Sequence, residues 1–274
     1  MSNNKIAVAI SIYNKNKLEF LKKALDSIFN QKFRNFDIII YVDGAIDEPL
    51  KEYLTWLKSN KLITILKNEQ NRGLGFGLNE IIEYALSKNC YKYLARMDAD
   101  DISMEKRLQK QYNFLEINNH IDVCGSGVYE FGSSFAKNEV VPPIKHNELV
   151  KYAIYRCPFI HPTVMFRMKI FEKSNIRYPT SYIIKEDLAL WYKLILHGFK
   201  LENMPDKLLY FRLDDNSLER RKGFRHAYGE MLERKKFMKS INKTSLKNYL
   251  LIMFKFILHI LPTPFMRLIY RFFR

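Results

Sequence analysis

Apolar positions along the first hundred residues switch repeatedly between two spacings. "IAVAISIY" (Ile6–Tyr13) is a short, mostly apolar run rich in β-branched residues, which predicts a buried strand. In "KLEFLKKALDSIFNQ", Leu18, Leu21, Leu25, Ile28 and Phe29 recur at helical spacing and predict an amphipathic helix. "FDIIIYVDG" predicts a second buried strand, ending at Asp43-Gly44. A polar helix near Leu50–Lys58, a strand "LITILKN", a glycine-rich turn "NRGLGFGLN" and a helix "EIIEYALSK" follow. The strand "YKYLARM" then runs into the acidic stretch "DADD". The order β-α-β-α-β-α-β predicts an α/β domain, with a mostly parallel sheet flanked by helices. Ligands of such sheets bind beyond the carboxyl ends of the strands. Asp43, Arg72 and Asp98 to Asp101 all fall at or just after strand ends, so they can converge.

From Asp122 to Pro179 the pattern is less regular, with short apolar runs and a kinked "CPFIHPTVMF". "KEDLALWYKLILHG" is a clear helix, with Leu188, Trp191, Tyr192 and Ile195 on one face and Gly198 suited to its C′ position. The tail "LKNYLLIMFKFILHILPTPFMRLIYRFFR" mixes Phe, Tyr, Leu and Ile with Lys and Arg throughout. Its apolar run before Pro262 spans roughly a dozen residues, short of the ~20 that a membrane-spanning helix needs. Lys255 and His259 interrupt it, as in a segment that lies at an interface, and a helix packed back on the domain is the alternative.

Composition narrows this picture. The chain has 274 residues, 47% hydrophobic and 14% aromatic, so a packed core is expected. Its three cysteines form neither a CxxC nor a framework, which suits a reducing compartment, and no signal peptide is visible. The six histidines lack any zinc-ligand spacing. Net charge is +16 and uneven: from Ser217 to Arg274 there are fourteen Lys/Arg against three acids. That tail suits an anionic surface, either nucleic acid or membrane.

The acidic stretch "YLARMDADDIS" carries the most chemistry. In an extended segment Asp98 and Asp100 face one side, and oxygen-only ligands suit Mg²⁺ or Mn²⁺ completed by water and a phosphorylated substrate. A turn into the helix Met104–Glu116, with Ser103 as N-cap, accounts for the same residues equally well. Asp43 can accept from a ribose hydroxyl or a base N–H, or simply form an Asp-Gly turn. The three glycines of "NRGLGFGLN" let backbone approach a ligand, although the spacing is neither a dinucleotide fingerprint nor a P-loop. Arg72 beside them can pair with phosphate or stack on a base. Glu186-Asp187 either complement a helix dipole or supply a general base. "RLDDNSLERRKG" is a basic loop or a diphosphate clamp.

Together these residues resemble a family 2 glycosyltransferase of the GT-A fold, from about Ile6 to Gly223. They are most like the bacterial exopolysaccharide and O-antigen branch typified by amylovoran-biosynthesis glycosyltransferases. The motifs are "SIYN" (Ser11–Asn14), "ALDSIxNQ" (Ala24–Gln31), "VDG" (Val42–Gly44) and "GLGxxLN" (Gly73–Asn79). "ARMDADDIS" (Ala95–Ser103), "HPTVMFR" (His161–Arg167), "EDxxLW" (Glu186–Trp191) and "FRxxxxxxxRR" (Phe211–Arg221) complete the set, in one order. Ser11-Ile12 and Val42-Asp43 depart from the wider family's Pro-Thr and paired Asp, as that branch does.

The resemblance implies a Rossmann-like mixed sheet over residues 1–223 and a basic, apolar helical extension over 224–274. Ser11, Tyr13, Asp43 and Arg72 would line a uridine pocket. Asp98-Ala99-Asp100 would be the DxD that holds Mn²⁺ or Mg²⁺ on the sugar-nucleotide diphosphate, with Asp98 and Asp100 as ligands and Asp101 beside them. His161 would lie near acceptor or diphosphate, and Arg220 and Arg221 on a loop over the diphosphate. Asp187 would be the general base, with Glu186 helping to place substrate. The implied reaction inverts the anomeric centre. It moves a hexose from UDP-galactose, UDP-glucose or a UDP-N-acetylhexosamine to a saccharide, itself linked to polyprenyl diphosphate, in bacterial surface polysaccharide synthesis. The implied location is cytoplasmic, peripheral on the inner face of the membrane through the tail. A non-catalytic nucleic-acid or membrane binder explains the charge but not three carboxylates at a strand end, and no nucleic-acid partner is expected. A sugar nucleotidyltransferase would carry a glycine-rich loop after the first strand, and "SIYNKNK" has no glycine.

Overall fold

The computed structural model describes residues 4–180, 185–214 and 223–262. The first half follows the predicted alternation: β1 (Lys5–Ile12), α1 (Leu18–Phe29), β2 (Phe36–Asp43), α2 (Glu48–Leu57), β3 (Ile63–Asn68), α3 (Leu74–Lys88) and β4 (Tyr91–Met97). Strands β3, β2, β1 and β4 pair in parallel in that order. Their carboxyl ends therefore share one edge.

The irregular middle completes the sheet. After β5 (Ile102–Ser103), α4 (Arg107–Ile117), β6 (Val123–Phe131) and α5 (His146–Ala153), a 3-10 turn (His161–Thr163) leads into β7 (Met165–Arg167) and α6 (Lys169–Ser174). Then come α7 (Glu186–Leu196) and β8 (Leu201–Arg212). Strand β7 is antiparallel to both β4 and β6, whereas β8 runs parallel to β6 and antiparallel to β5. The eight strands form one mixed sheet, β3-β2-β1-β4-β7-β6-β8-β5.

Strand β1 shows why helices cover both faces. Ile6, Val8, Ile10 and Ile12 pack with Leu21 and Leu25 of α1 and Leu50 and Leu54 of α2. The alternate positions Ala7 and Ala9 face Leu78, Ile81 and Ile82 of α3. Their small side chains let α3 lie close.

Two local expectations are corrected. The glycine run is not a turn: Gly75 and Gly77 lie inside α3, which starts at Leu74. Ser103 is not a helix N-cap, because it sits in β5 opposite Leu209 and the helix begins at Arg107 after Lys106. Gly198 does take the left-handed conformation (φ 82°) just after the last residue of α7, as its position required.

The described part of the tail forms a helical hairpin, α8 (Phe224–Ser240) and α9 (Leu246–Ile260), and residues 263–274 lie outside the described residues. It packs back on the body, with Met231, Phe237, Met238 and Ile252 buried against Ile154, Leu188 and Tyr192. No described helix is long and apolar enough to cross a membrane.

Candidate active site

Strand β4 delivers the acidic segment to the shared carboxyl edge. One oxygen from each of Asp98, Asp100 and Asp101 lies within 4.8 Å of the others. Three acceptor-only groups this close repel, and the chain holds them from three directions. Arg96 Nη2 pairs with Asp98 Oδ1 at 2.5 Å. The Arg212 backbone N–H donates to Asp101 Oδ1 (2.8 Å) and its Nε–H to the Asp100 carbonyl (2.9 Å). The Arg212 guanidinium lies between the rings of Phe20 (3.8 Å) and Phe131 (4.4 Å), an arrangement that suits a flat cation.

Ser27 near the end of α1 and Gln31 just beyond it support the same segment. Ser27 Oγ accepts from the Ser103 N–H (2.9 Å), and Gln31 Nε2 donates to the Met104 carbonyl (2.8 Å). Gln31 Oε1 accepts from the Leu108 N–H at 3.0 Å. Arg107, fully buried, donates from Nη2 to the Arg96 carbonyl at 2.6 Å. The acidic stretch is thus a braced strand-to-strand connection.

Crowding leaves an electrostatic mark. Burial and Asp98 push the Asp100 carboxyl up to about 6. Burial, Asp98 and Asp100 push Asp101 well above the carboxylate range. Asp101 Oδ2 is buried without a hydrogen-bond partner among the described residues. Carboxylates left uncompensated in this way fit a hard divalent cation.

Asp43 ends β2 and is buried. Its two oxygens accept from the backbone N–H groups of Arg72 and Gly73, both at 2.8 Å. It therefore anchors the start of α3. The Arg72 guanidinium stacks on Phe76 at 3.7 Å. Tyr13 is exposed just past β1, whereas the Ser11 hydroxyl faces α3, 3.0 Å from where a Cβ on Gly77 would stand. Ala99 is buried within the acidic segment. The glycines of α3 approach protein and not open space: added Cβ atoms would meet Pro179 O at 2.7 Å from Gly75 and the Tyr41 ring at 2.5 Å from Gly77.

That close approach brings the second half of the site alongside. A Cβ on Gly75 would also stand 3.2 Å from Glu186 Cβ. Asn79 of α3 clamps Tyr178 through two bonds, Nδ2–H to its carbonyl (2.9 Å) and its N–H to Oδ1 (2.8 Å). The Tyr178 hydroxyl shares a hydrogen bond with His161 Nε2 at 2.9 Å. His161 is buried, and burial together with the Arg96 charge holds its imidazole well below the usual histidine range.

Glu186 and Asp187 open α7, where the helix dipole favours anions. Burial and Asp187 raise the Glu186 carboxyl. Asp187 Oδ1 accepts from the Leu188 N–H (2.7 Å), and Oδ2 accepts from the Cys157 thiol (3.4 Å). Burial and Asp187 push that thiol well above its usual range.

Arg96 joins the two halves. It is buried and paired with Asp98, and its charge also acts on Asp100, Asp101, His161, Tyr178 and Glu186. Its Nε and Nη1 have no partner among the described residues. Arg220 and Arg221 lie outside the described residues. Sequence reasoning passed over Arg107, Tyr178 and Cys157, and read Arg212 only as part of a basic loop or diphosphate clamp, whereas it braces the acidic segment. The hint for Arg212 was present in "FRxxxxxxxRR", and Ser27 and Gln31 stood inside "ALDSIxNQ". Tyr178 and Cys157 carried no signal.

Comparison with known proteins supplies the family and the fold. The chain is 29% identical over 226 residues to an amylovoran biosynthesis glycosyltransferase of Erwinia amylovora, covering 82% of each chain. It is 28% identical over 270 residues to an Escherichia coli UDP-Gal:alpha-D-GlcNAc-diphosphoundecaprenol beta-1,3-galactosyltransferase, covering 97% of this chain and 95% of that one. Among solved structures, residues 1–349 of S. aureus TarS in complex with UDP-GlcNAc superpose with a TM-score of 0.62 at 18% identity, over 94% of this chain and 82% of that chain. The mannosyltransferase PcManGT of Pyrobaculum calidifontis, in complex with GDP-Man and Mn²⁺, gives a TM-score of 0.62 at 16% identity, over 97% and 72%. These likenesses identify the GT-A fold. The family model "Glycosyl transferase family 2" matches residues 7–174, more than half of the chain. A strand-end carboxylate cluster on this sheet, followed by that match, leads to one conclusion: the chain belongs to glycosyl transferase family 2.

Proposed function

We propose that this chain is an inverting, metal-assisted hexosyltransferase of bacterial surface polysaccharide synthesis, using a UDP-sugar donor and a lipid-diphosphate-linked saccharide acceptor. The observation that carries this reading is the meeting of Asp98, Asp100 and Asp101 with Glu186-Asp187 around the buried guanidinium of Arg96. One cluster suits a cation on a diphosphate, and the other suits a proton acceptor. The names of the E. coli relative and of the TarS complex favour uridine diphosphate as the leaving group. The relative's diphosphoundecaprenol-linked substrate favours a lipid-linked acceptor.

Asp98, Asp100 and Asp101 would hold Mn²⁺ or Mg²⁺, which when bound neutralises charge on the diphosphate. Ser11, Tyr13, Asp43 and Arg72 are assigned to the nucleotide. Arg220 and Arg221 are assigned to the diphosphate loop, and His161 to the acceptor side. An acceptor hydroxyl gives its proton to Asp187 Oδ2 as its oxygen bonds to the anomeric carbon. The bond from that carbon to the diphosphate oxygen breaks with the electron pair leaving on UDP. Attack opposite the leaving group turns an α-linked donor into a β-linked product. Neutral His161 and Tyr178 offer hydrogen bonds without adding charge.

The hairpin α8–α9 is assigned to the inner membrane surface. Phe224, Tyr228 and Leu232 follow one face of α8, and Leu250, Phe254 and Ile257 one face of α9, all exposed. Arg225, Lys239, Lys243 and Lys247 are exposed on the same hairpin, which suits anionic headgroups.

A donor screen tests the reading: UDP release with Mn²⁺ from UDP-galactose, UDP-glucose and UDP-N-acetylhexosamines, against a panel of lipid-diphosphate saccharides. Asp187→Asn should abolish turnover while Mn²⁺-dependent UDP binding persists; near-normal transfer by that variant removes Asp187 as the base. Anionic vesicles should retain the protein while duplex DNA at the same ionic strength should not.

A further inference from the structure

The helical hairpin carries an ion-pair cluster that an anchor does not require. Arg234 and Glu230 are both buried on α8, with Arg234 Nη2 and Glu230 Oε1 2.7 Å apart. Burying two charges is costly, and apolar side chains of similar volume hold helices together as well or better. Such a pair is better explained by the positions it fixes than by the stability it adds.

Those positions lie at the base-bearing helix. Arg234 Nη1 donates to the carbonyls of Ala153 (3.0 Å) and Ile154 (3.2 Å), at the end of α5. The Tyr192 hydroxyl of α7 donates to the same Ala153 carbonyl at 2.9 Å, and the Tyr192 ring stacks on Phe237 of α8 with centroids 3.9 Å apart. Glu230 Oε2 faces Lys185 Nζ at 3.9 Å. Lys185 is the residue immediately before Glu186 and Asp187. His259 Nδ1 of α9 stands 3.7 Å from the same oxygen. The hairpin therefore grips α7 at both ends of its first two turns. Cys157, four residues beyond Ala153, meets Asp187 from the other side.

We infer that Glu230 and Arg234 are positioning residues for the Glu186-Asp187 carboxylates, so that the hairpin is part of the active-site scaffold as well as the proposed membrane contact. This rests on Asp187 acting as the base. The pair lies nearly sixty residues beyond the matched family region, residues 7–174.

The test uses the full chain in a Cys90→Ser background, in which Cys157 is the half-buried thiol and Cys124 is fully buried. Glu230→Gln should lower kcat about tenfold or more, with donor KM and Mn²⁺-UDP affinity within about twofold of the parent. The Cys157 alkylation rate should rise severalfold as the start of α7 loosens. Lys185→Met removes only the exposed limb of the cluster and should fold normally, lowering kcat severalfold with unchanged Tm. Combined with Glu230→Gln, it should add little further loss. Both variants turning over within twofold of the parent overturns the inference, whatever the alkylation rate. Asp187→Asn run beside them separates the two claims. An inactive Asp187→Asn with active latch variants leaves the base in place and removes the latch, whereas an active Asp187→Asn removes the base itself.

Discussion

Asp101 is a carboxylate whose neighbours oppose its charge. One oxygen accepts from the Arg212 N–H; the other is buried without a hydrogen-bond partner among the described residues, and Asp98 and Asp100 stand beside it. Its folded-state acidity lies well above the ordinary range. For an acid this sign means that the ionised form destabilises the fold near neutral pH, and that acidification relieves the penalty. Asp101→Asn keeps an acceptor for Arg212 and discards the charge. It should raise the urea-unfolding stability of the metal-free protein and erase the gain in Tm on adding Mn²⁺ with UDP. A variant less stable than the parent without metal contradicts this account of the cluster. Arg212 makes a second case, because its role depends on shape. A lysine retains the charge but neither the flat stack between Phe20 and Phe131 nor the Nε bond to the Asp100 carbonyl. Arg212→Lys should therefore cost turnover roughly 10- to 100-fold, about 1.4–2.7 kcal/mol in barrier, with Tm nearly unchanged. Turnover within threefold of the parent would show that a point charge suffices.

Helix α3 shows how a motif can be recognised while its mechanism is misassigned. The glycines suggested backbone opened to a ligand, since glycine permits close approach. The approach is real, but it is made to Tyr41 of β2 and to Pro179 beside Glu186. Sequence alone cannot say what a glycine stands next to. Similarly, Ser103 has the chemistry of an N-cap, yet pairing with β8 captures it as a strand residue and moves the helix start to Arg107. Long-range partners won over local preference at both places. The strands and helices before β4 were legible because each buries a periodic apolar face. For Gly77→Ala, the new Cβ would stand 2.5 Å from a Tyr41 ring carbon. Overpacking of this kind costs about 1–3 kcal/mol. The expected outcome is a lower urea midpoint with an unchanged m-value, and loss of donor affinity as α3 shifts away from Asp43 and Glu186.

The two halves of the site reach one place by different routes. Asp43, Arg72 and the acidic cluster converge because parallel strands end on one edge, which their order along the chain foretold. Glu186 and Asp187 arrive through β7, β6 and the packing of α7 between α3 and the hairpin, and no spacing in the sequence announces that path. The basic tail was legible either as a surface-seeking segment or as a helix packed back on the domain, and sequence could not choose, because its buried contacts involve residues some eighty positions earlier. That return has a pH signature. Burial, then Lys255, pushes the His259 imidazole down to about 3, with Lys185 and Arg234 adding to the shift and Glu230 opposing it. A histidine whose folded value lies below its unfolded one contributes stability fully above about 6.5, lost as pH falls towards the folded value. Between pH 7 and 5 the loss assignable to His259 is about 2 kcal/mol. Asp100 and Glu186, both raised, change stability in the opposite sense over the same interval. Buried His161 changes it in the same sense as His259. The slope of the parent alone therefore isolates nothing, and the difference between two proteins does. His259→Leu keeps a buried apolar volume on α9 and leaves the other titrating groups in place. Chemical unfolding at pH 7 and pH 5 should show the variant losing about 2 kcal/mol less than the parent. Equal losses would mean that His259 titrates alike folded and unfolded, and that α9 does not seal it against Glu230 in solution.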